Sequence, residues 1–325
     1  MPHPGQRGGS ARATIGPRRA ERRFTQRRVA PRAPLHKRGV SVPDIFSRRA
    51  RRRARDRAAA GGFAEAAFLR DFMMEGLIER LDAVTRDFAD ILDLGCFDGG
   101  LPLPPDARVV RADAGFGFAA TARGVQCDED RLPFRDGAFD LVVSAGVLDQ
   151  VSDLPGALAL ARRALRPDGL FLAAFTGGAT LGAVRSALLA GDGERAAARI
   201  HPQVDLRAAG DLLVRAGFAL PVADMETLTV RYQSMFSLIG DLRGMAATNL
   251  LTARRPLGRA ALARAADAFH AAADAGGRTP ERFDVIYLTG WAPAPGQPQP
   301  ARRGSGRASL ADALRPPEAT GTDPA

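Results

Sequence analysis

Lysine is nearly absent from this 325-residue chain: Lys37 stands alone, so almost all of the positive charge is arginine. Cysteine is scarce as well. Cys96 and Cys127 lie far apart and lack metal-ligand spacing, which argues against a disulfide framework or a cysteine metal site and points to a reducing compartment. Both read as small buried fillers. No apolar run approaches the roughly 18–20 residues that span a bilayer, and no secretory apolar segment follows Met1. What is present, 46% hydrophobic and 25% charged residues, suffices for the core of one large domain or two modest ones.

The net charge of +10 is unevenly placed. Residues 1–60 hold 18 Arg or Lys and three acidic side chains, so the remaining 265 residues sum to −5. The basicity belongs to an arm. Such an arm can meet nucleic acid or an acidic membrane surface. It lacks interleaved aromatics, and no nucleic-acid partner is expected. Residues 1–39, rich in Pro, Gly and Arg, are expected to be disordered. "VSVPDIFSRR" (40–49) reads as a natural start at Val40, with 1–39 a mis-called extension. Residues 40–62 form a basic helical segment, and Arg51–Arg57 reads as a solvated helical face, with docking to an acidic partner the alternative.

From residue 63 the pattern changes. "FAEAAFLRDFMMEGLIERLDAV" (63–84) has helical periodicity. Strands are expected at 90–95, 107–113, 124–128, 139–148, 170–175, 219–224 and 283–292, with helices at 153–165, 180–190 and 205–218 between them. The run 139–148 is apolar throughout, as in a strand covered on both faces. This alternation predicts an α/β fold with a doubly wound, mostly parallel sheet over 63–292. A helical insertion falls at about 233–275, and 293–325 is a flexible tail.

In such sheets ligands bind beyond the carboxyl ends of the strands. "ILDLGCFDGG" (91–100) ends the first strand, and its glycines let backbone amides approach a ligand. Asp113 ends the second strand, where an acid accepts the hydroxyls of a ribose. Asp128 and Glu129 follow the third strand, placed to accept from an adenine amine. Neither a Lys-Ser/Thr phosphate cradle nor G-x-G-x-x-G is present, which favours a nucleoside ligand without pyrophosphate. No metal site is expected.

"LDLGCFDG", "RAD", "CDEDRLPFRDGAFDLVVS", "LPGALALARRALRPDGLFL" and "GDLLVRAGF" together resemble the class I S-adenosylmethionine-dependent methyltransferases, over about 88–224. The resemblance implies a seven-stranded Rossmann-like domain that binds S-adenosyl-L-methionine through Asp93, Gly95, Phe97 and Gly99 in the loop. It gives Asp113 to the ribose, Asp128 and Glu129 to the adenine, and places Ser144 under the cofactor. "RRRARDRAA", "VSDLPGAL", "LTVRYQSMFSLIGDLRGMAATN", "VIYLTGWAP" and "RRGSGRASLADAL" are similar to the family of complex I assembly factor 5 and its alphaproteobacterial relatives. That narrower likeness implies a cytoplasmic enzyme, peripheral at the inner membrane, acting on a protein partner such as an iron–sulfur subunit of NADH dehydrogenase, by methylation or arginine hydroxylation. Asp149, Tyr232 and Asn249 are the substrate-side candidates, although Tyr232, Asn249, His201 and Tyr287 also read as structural. No catalytic residue is assigned.

Two departures weigh on this reading. Phe97 stands where the loop motif has glycine. Only "GLPLPP" separates Gly99 from the approach to the second strand, too short and too proline-rich for a crossover helix. A non-catalytic assembly chaperone therefore stays open, as does a malonyl-carrier O-methyltransferase, a cousin family with part of the same C-terminal pattern.

Overall fold

The computed structural model describes residues 44–298. The expectations for an arm over 1–39 and for the tail beyond 298 lie outside those residues. The described chain opens with helix α1 (Arg48–Ala60), capped by the Ser47 hydroxyl, which accepts from the Ala50 amide. Helices α2 (Phe63–Ala66) and α3 (Phe68–Asp82) follow. Then come β1 (Asp90–Leu94), β2 (Arg108–Asp113), α4 (Phe116–Thr121), β3 (Val125–Gln126) and β4 (Phe139–Ala145). The second half runs α5 (Leu154–Ala164), β5 (Leu165–Gly177), α6 (Gly182–Asp192), α7 (Leu206–Ala216), β6 (Ala219–Tyr232), α8 (Met235–Gly244), α9 (Arg259–Ala271) and β7 (Thr279–Trp291). Asp153 and Asp205 cap α5 and α7, and Gly217 ends α7 in the left-handed conformation at φ 83°.

The seven strands form one sheet in the order β3-β2-β1-β4-β5-β7-β6. All pairings are parallel except those of β7, which runs antiparallel to both β5 and β6. Side chains alternate across the sheet, so its two faces carry separate cores. Leu92, Leu94 and Val142 face the cluster that buries Ala54 of α1, Leu158 of α5 and Leu213 of α7. Ile91, Leu141 and Val143 face the cluster that buries Met73 of α3, Val184 of α6, Leu238 of α8 and Phe269 of α9. This is the doubly wound sheet the strand–helix alternation predicts, and β4 is buried along its whole length, as expected for its apolar run. No described helix is long and apolar enough to cross a membrane.

Two elements differ from expectation. The β6 strand continues past residue 224 to Tyr232, paired with β7 down to Thr279. The basic segment does not stand off in solvent: α1 packs on α4, and Arg51 and Arg55 are buried rather than solvated. The crossover between β1 and β2 carries no helix, in keeping with its prolines, and Leu101 tucks under the sheet instead.

Close packing of α3 on β7 depends on one small residue. A Cβ on Gly76 would overlap the ring and hydroxyl of buried Tyr287. That hydroxyl donates to the Phe72 carbonyl at 3.3 Å, and the Arg80 guanidinium lies 3.7 Å over the ring. Gly76→Ala is expected to cost about 1–3 kcal/mol despite its better helix propensity. A urea midpoint equal to that of the parent would show that α3 can shift freely.

Candidate functional site

The carboxyl ends of β1, β2 and β4 bring most of the expected residues to one edge. Asp93 lies in β1 with Gly95 just beyond it, Asp113 ends β2, Ser144 lies near the end of β4, and Asp128 and Glu129 follow β3. The loop after β1 is closed on itself. The amides of Gly95 and Cys96 both donate to the Ala112 carbonyl, at 2.7 and 3.1 Å. The Gly99 amide donates to Cys96 O at 2.8 Å, and the Gly100 amide to Asp98 Oδ1 at 3.1 Å. Glycine is required at Gly95 and Gly99: their φ values are 81° and 79°, and a Cβ would press on Val147 and Arg111 respectively. The expected row of free loop amides is therefore not what these glycines provide; they let the loop turn back onto β2.

Phe97 adopts φ 49° and is buried. Its ring stacks on Phe63 with centroids 4.8 Å apart and meets Phe118 edge-on at 5.3 Å. The Arg55 guanidinium lies 4.0 Å over its centroid. In turn Arg55 Nε donates to Asp113 Oδ1 at 2.6 Å, and Nη2 donates to Oδ2. Asp113 also accepts from the Phe97 amide at 3.1 Å and the Gly115 amide at 2.7 Å. Both oxygens are thus committed, and both Arg55 and Asp113 have 0% exposure.

Three neighbouring carboxylates, Asp128, Glu129 and Asp130, are also bound by arginines of α1. Arg51 makes a two-pronged bond to Glu129 at 2.5 and 2.7 Å. Arg52 reaches Asp128 Oδ2 at 2.6 Å, and Arg48 holds Asp130 at 2.5 and 2.6 Å. Arg48, Arg51, Arg52 and Arg55 form one stripe of α1 by helical spacing. Their partners sit in Cys127–Arg131 and at the end of β2. These four were not among the expected site residues; the signal for them was the i, i+3, i+4, i+7 spacing of arginines in a chain with a matching run of acids.

Whether S-adenosylmethionine fits these residues can be judged end by end. At the nucleoside end Asp113 already accepts four hydrogen bonds and Glu129 is bound by Arg51, while Asp128 keeps one buried oxygen, Oδ1, without a partner. At the amino-acid end Asp93 is 3% exposed, its Oδ2 accepts no hydrogen bond, and Arg111 Nε stays 3.8 Å away. Burial pushes the Asp93 carboxyl up to about 7. Ser144 Oγ is likewise buried without a partner. The spare acceptor at Asp93 suits an ammonium, but with α1 docked the nucleoside end does not fit the cofactor.

A cavity of about 220 Å³ opens beyond β4 and β5. Leu69, Val184, Leu242 and Phe283 make its apolar wall; Asp149, Thr176, His201, Gln203 and Asn249 make its polar one. Thr176 Oγ1 donates to Asp149 Oδ2 at 2.7 Å, and Asp149 Oδ1 is buried without a partner. Burial raises the Asp149 carboxyl above its ordinary range and lowers the His201 imidazole. His201 Nε2 accepts from the Leu250 amide at 2.9 Å, which fixes a neutral ring with its proton on Nδ1. Of the expected substrate-side residues, Asp149 and Asn249 line this cavity. Tyr232 does not; it ends β6, buried in the core. Thr176 comes from β5, and His201 and Gln203 from the stretch before α7; they carry no common sequence motif.

Comparison with known proteins fits this geometry. A methyltransferase-domain family model matches residues 92–173. The arginine-hydroxylase NDUFAF5, mitochondrial, of Danio rerio is 32% identical over 83% of this chain and 89% of its own length. Its Homo sapiens counterpart is 32% identical over 75% of the chain and 76% of its length. A malonyl-[acyl-carrier protein] O-methyltransferase of Gallionella capsiferriformans is 31% identical over 77% of the chain and 93% of its length. A solved Bacillus halodurans structure assigned as a methyltransferase covers 68% of the chain and 100% of its own at TM-score 0.50 and 15% identity, a likeness of fold. The chain therefore belongs to the class I S-adenosylmethionine-dependent methyltransferase superfamily, an enzyme family built around that cofactor, and is similar along most of its length to both NDUFAF5 and the malonyl-[acyl-carrier protein] O-methyltransferases.

Proposed function

We propose that this protein modifies an arginine side chain of a protein in respiratory NADH dehydrogenase assembly, by methylation or hydroxylation, in the bacterial cytoplasm beside the inner membrane. The observation that carries this reading is the polarity of the cavity beyond β5. Three of its donor side chains are already engaged. Arg199 is bound to both oxygens of Asp192 and to the Arg255 carbonyl. Gln203 Nε2 donates to the His201 carbonyl at 3.1 Å, and Thr180 Oγ1 to Gly177 O at 2.7 Å. Two buried acceptors are left over, Asp149 Oδ1 and Gln203 Oε1. A pocket with an apolar wall and spare acceptors suits an alkyl chain ending in several N–H donors, which describes a guanidinium. The names of the arginine-hydroxylase relatives agree with that chemistry. A malonyl group would bring a second carboxylate beside the buried one of Asp149, which weighs against the carrier-protein reading. S-adenosylmethionine, when bound, supplies the family's group-transfer chemistry; this chain's contribution is to hold the acceptor side chain and exclude water around it.

The test is binding of N-acetyl-arginine methylamide, with the neutral isostere N-acetyl-citrulline methylamide as control, by calorimetry. Charge-assisted hydrogen bonds of about 1.5–3 kcal/mol predict a preference of about tenfold to a hundredfold for arginine, lost in Asp149→Asn. Because burial raises the Asp149 carboxyl, and only its ionised form attracts the cation, affinity should grow as pH rises through that raised value. Equal binding of the two probes, or a pH-independent preference, would sink the reading.

A further inference from the structure

The fold brings together the carboxylates of a nucleoside site, yet the chain's own arginines hold them. We infer that α1 and the nucleoside half of S-adenosylmethionine are alternative occupants of one acidic cleft, so that cofactor uptake requires α1 to swing out. The two cannot coexist. A ribose on Asp113 needs lone pairs that Arg55 uses, and Arg55 lies across the Phe97 ring beside that carboxylate. Arg51 holds both oxygens of Glu129 and Arg52 holds Asp128 Oδ2, leaving only the buried Asp128 Oδ1 without a partner, so the same helix covers the adenine positions.

The surroundings of α1 are those of a movable part. It is joined to α2 through Gly61 and Gly62, and a side chain on either would meet nothing within 4 Å. Gly62 has φ 87°, so this joint is an open, glycine-built pivot. The contact of α1 with α4 is made through small residues. Gly117 lets Ala59 approach so closely that a Cβ there would lie 2.8 Å from the Ala59 Cβ. Gly115 allows the same approach by Arg55, and the Gly117 amide donates to Asp56 Oδ1 at 3.0 Å. Apart from small alanines, the seated face of α1 is charged: its arginines return to water on release, and the vacated carboxylates can take neutral hydroxyl and amine donors instead. Before α1, Phe46 bridges to Leu251, and the Ser47 amide donates to Leu250 O at 2.8 Å. Leu250 in turn donates to His201 in the cavity wall, so the far end of the gate is tied to the acceptor side.

The inference is tested on the full chain with S-adenosylhomocysteine, independently of the arginine probes, which need no cofactor. In the parent protein, hydrogen exchange of residues 48–60 should lose protection when the ligand is added. A closed gate lowers apparent affinity by the fraction of molecules that are open. Gly117→Val wedges α1 off α4 at Ala59 and Asp56 while leaving every arginine and every carboxylate of the cleft in the chain, and should bind S-adenosylhomocysteine at least about tenfold tighter than the parent. Arg55→Gln should do the same if it folds; the glycine variant carries the test if it does not. Increased or unchanged protection of α1 with ligand bound overturns the gate. So does a Gly117→Val affinity no better than the parent's. Absence of binding in the parent and both variants at millimolar ligand would show a cleft that is lost rather than covered, and would equally overturn it.

Discussion

Replacing Arg55 with methionine is expected to destabilise the protein by about 3–5 kcal/mol, the usual consequence of stranding one partner of a buried ion pair. Asp113 would keep its bonds from the Phe97 and Gly115 amides but would have no counter-charge, at 0% exposure. The Phe97 and Phe118 rings would also lose the guanidinium 4.0 and 5.2 Å from their centroids. For a body of this size the thermal midpoint should fall by about 10 °C. Arg55→Met/Asp113→Leu should recover most of the loss, because removing both charges removes the uncompensated one. Urea melts of the two single variants and the double variant give the coupling directly. A single-variant loss below about 1 kcal/mol would mean that water reaches Asp113 easily, and the cleft would then be looser than its geometry implies.

The opposite sign is expected at Asp93. Its carboxyl is pushed up to about 7, mainly by burial, with Arg111 opposing that rise and the nearby Asp113 charge adding to it. The folded protein therefore binds the Asp93 proton more tightly than the unfolded chain, where an aspartate titrates near pH 3.9. Between those two values stability falls as pH rises; below both there is no penalty. Asp93→Asn keeps the shape and removes the ionisation. It should match the parent near pH 4 and exceed it progressively toward pH 8, by up to roughly 4 kcal/mol for a shift of about three pH units. Urea midpoints across that range measure it. A constant difference between the variant and the parent from pH 4 to pH 8 would show that Asp93 is ionised throughout and has a partner.

The sheet was legible because its strands are apolar runs punctuated by turn residues. The 139–148 run contains β4, and the 170–175 run lies within β5, which starts earlier, at Leu165. The second half of β6 was missed, although "METLTVRY" alternates with period two; the exposed edge strand lacks the apolar density of the interior strands. The acidic edge of the site was readable from Asp93, Asp113, Asp128 and Glu129, each tied to a strand end. Its occupant was not. Arginines spaced along a helix and acids beyond a strand are separate local facts, and only tertiary docking pairs residues separated by 58 to 82 positions. The cavity was harder still, since Asp149, Thr176, His201 and Gln203 converge from the turn after β4, from β5 and from the stretch before α7, with no shared spacing to announce them.

The position of β7 has a consequence for how the chain is made. This strand, Thr279–Trp291, lies between β5 and β6 and bonds to both. Until it leaves the ribosome, β5 presents an open edge and β6 has no neighbour in the sheet. Synthesis delivers about 5–20 residues per second, so from the end of β5 at Gly177 to the end of β7 the unfinished sheet waits several seconds. An unpaired apolar edge such as Leu170–Phe175 is a template for foreign strands during that interval. Nascent chains halted before residue 279 should therefore aggregate or recruit holdase chaperones, while chains halted after residue 292 should be protease-resistant. The last strand acts as a keystone: vectorial folding can begin at β1, but cannot be completed before β7 arrives.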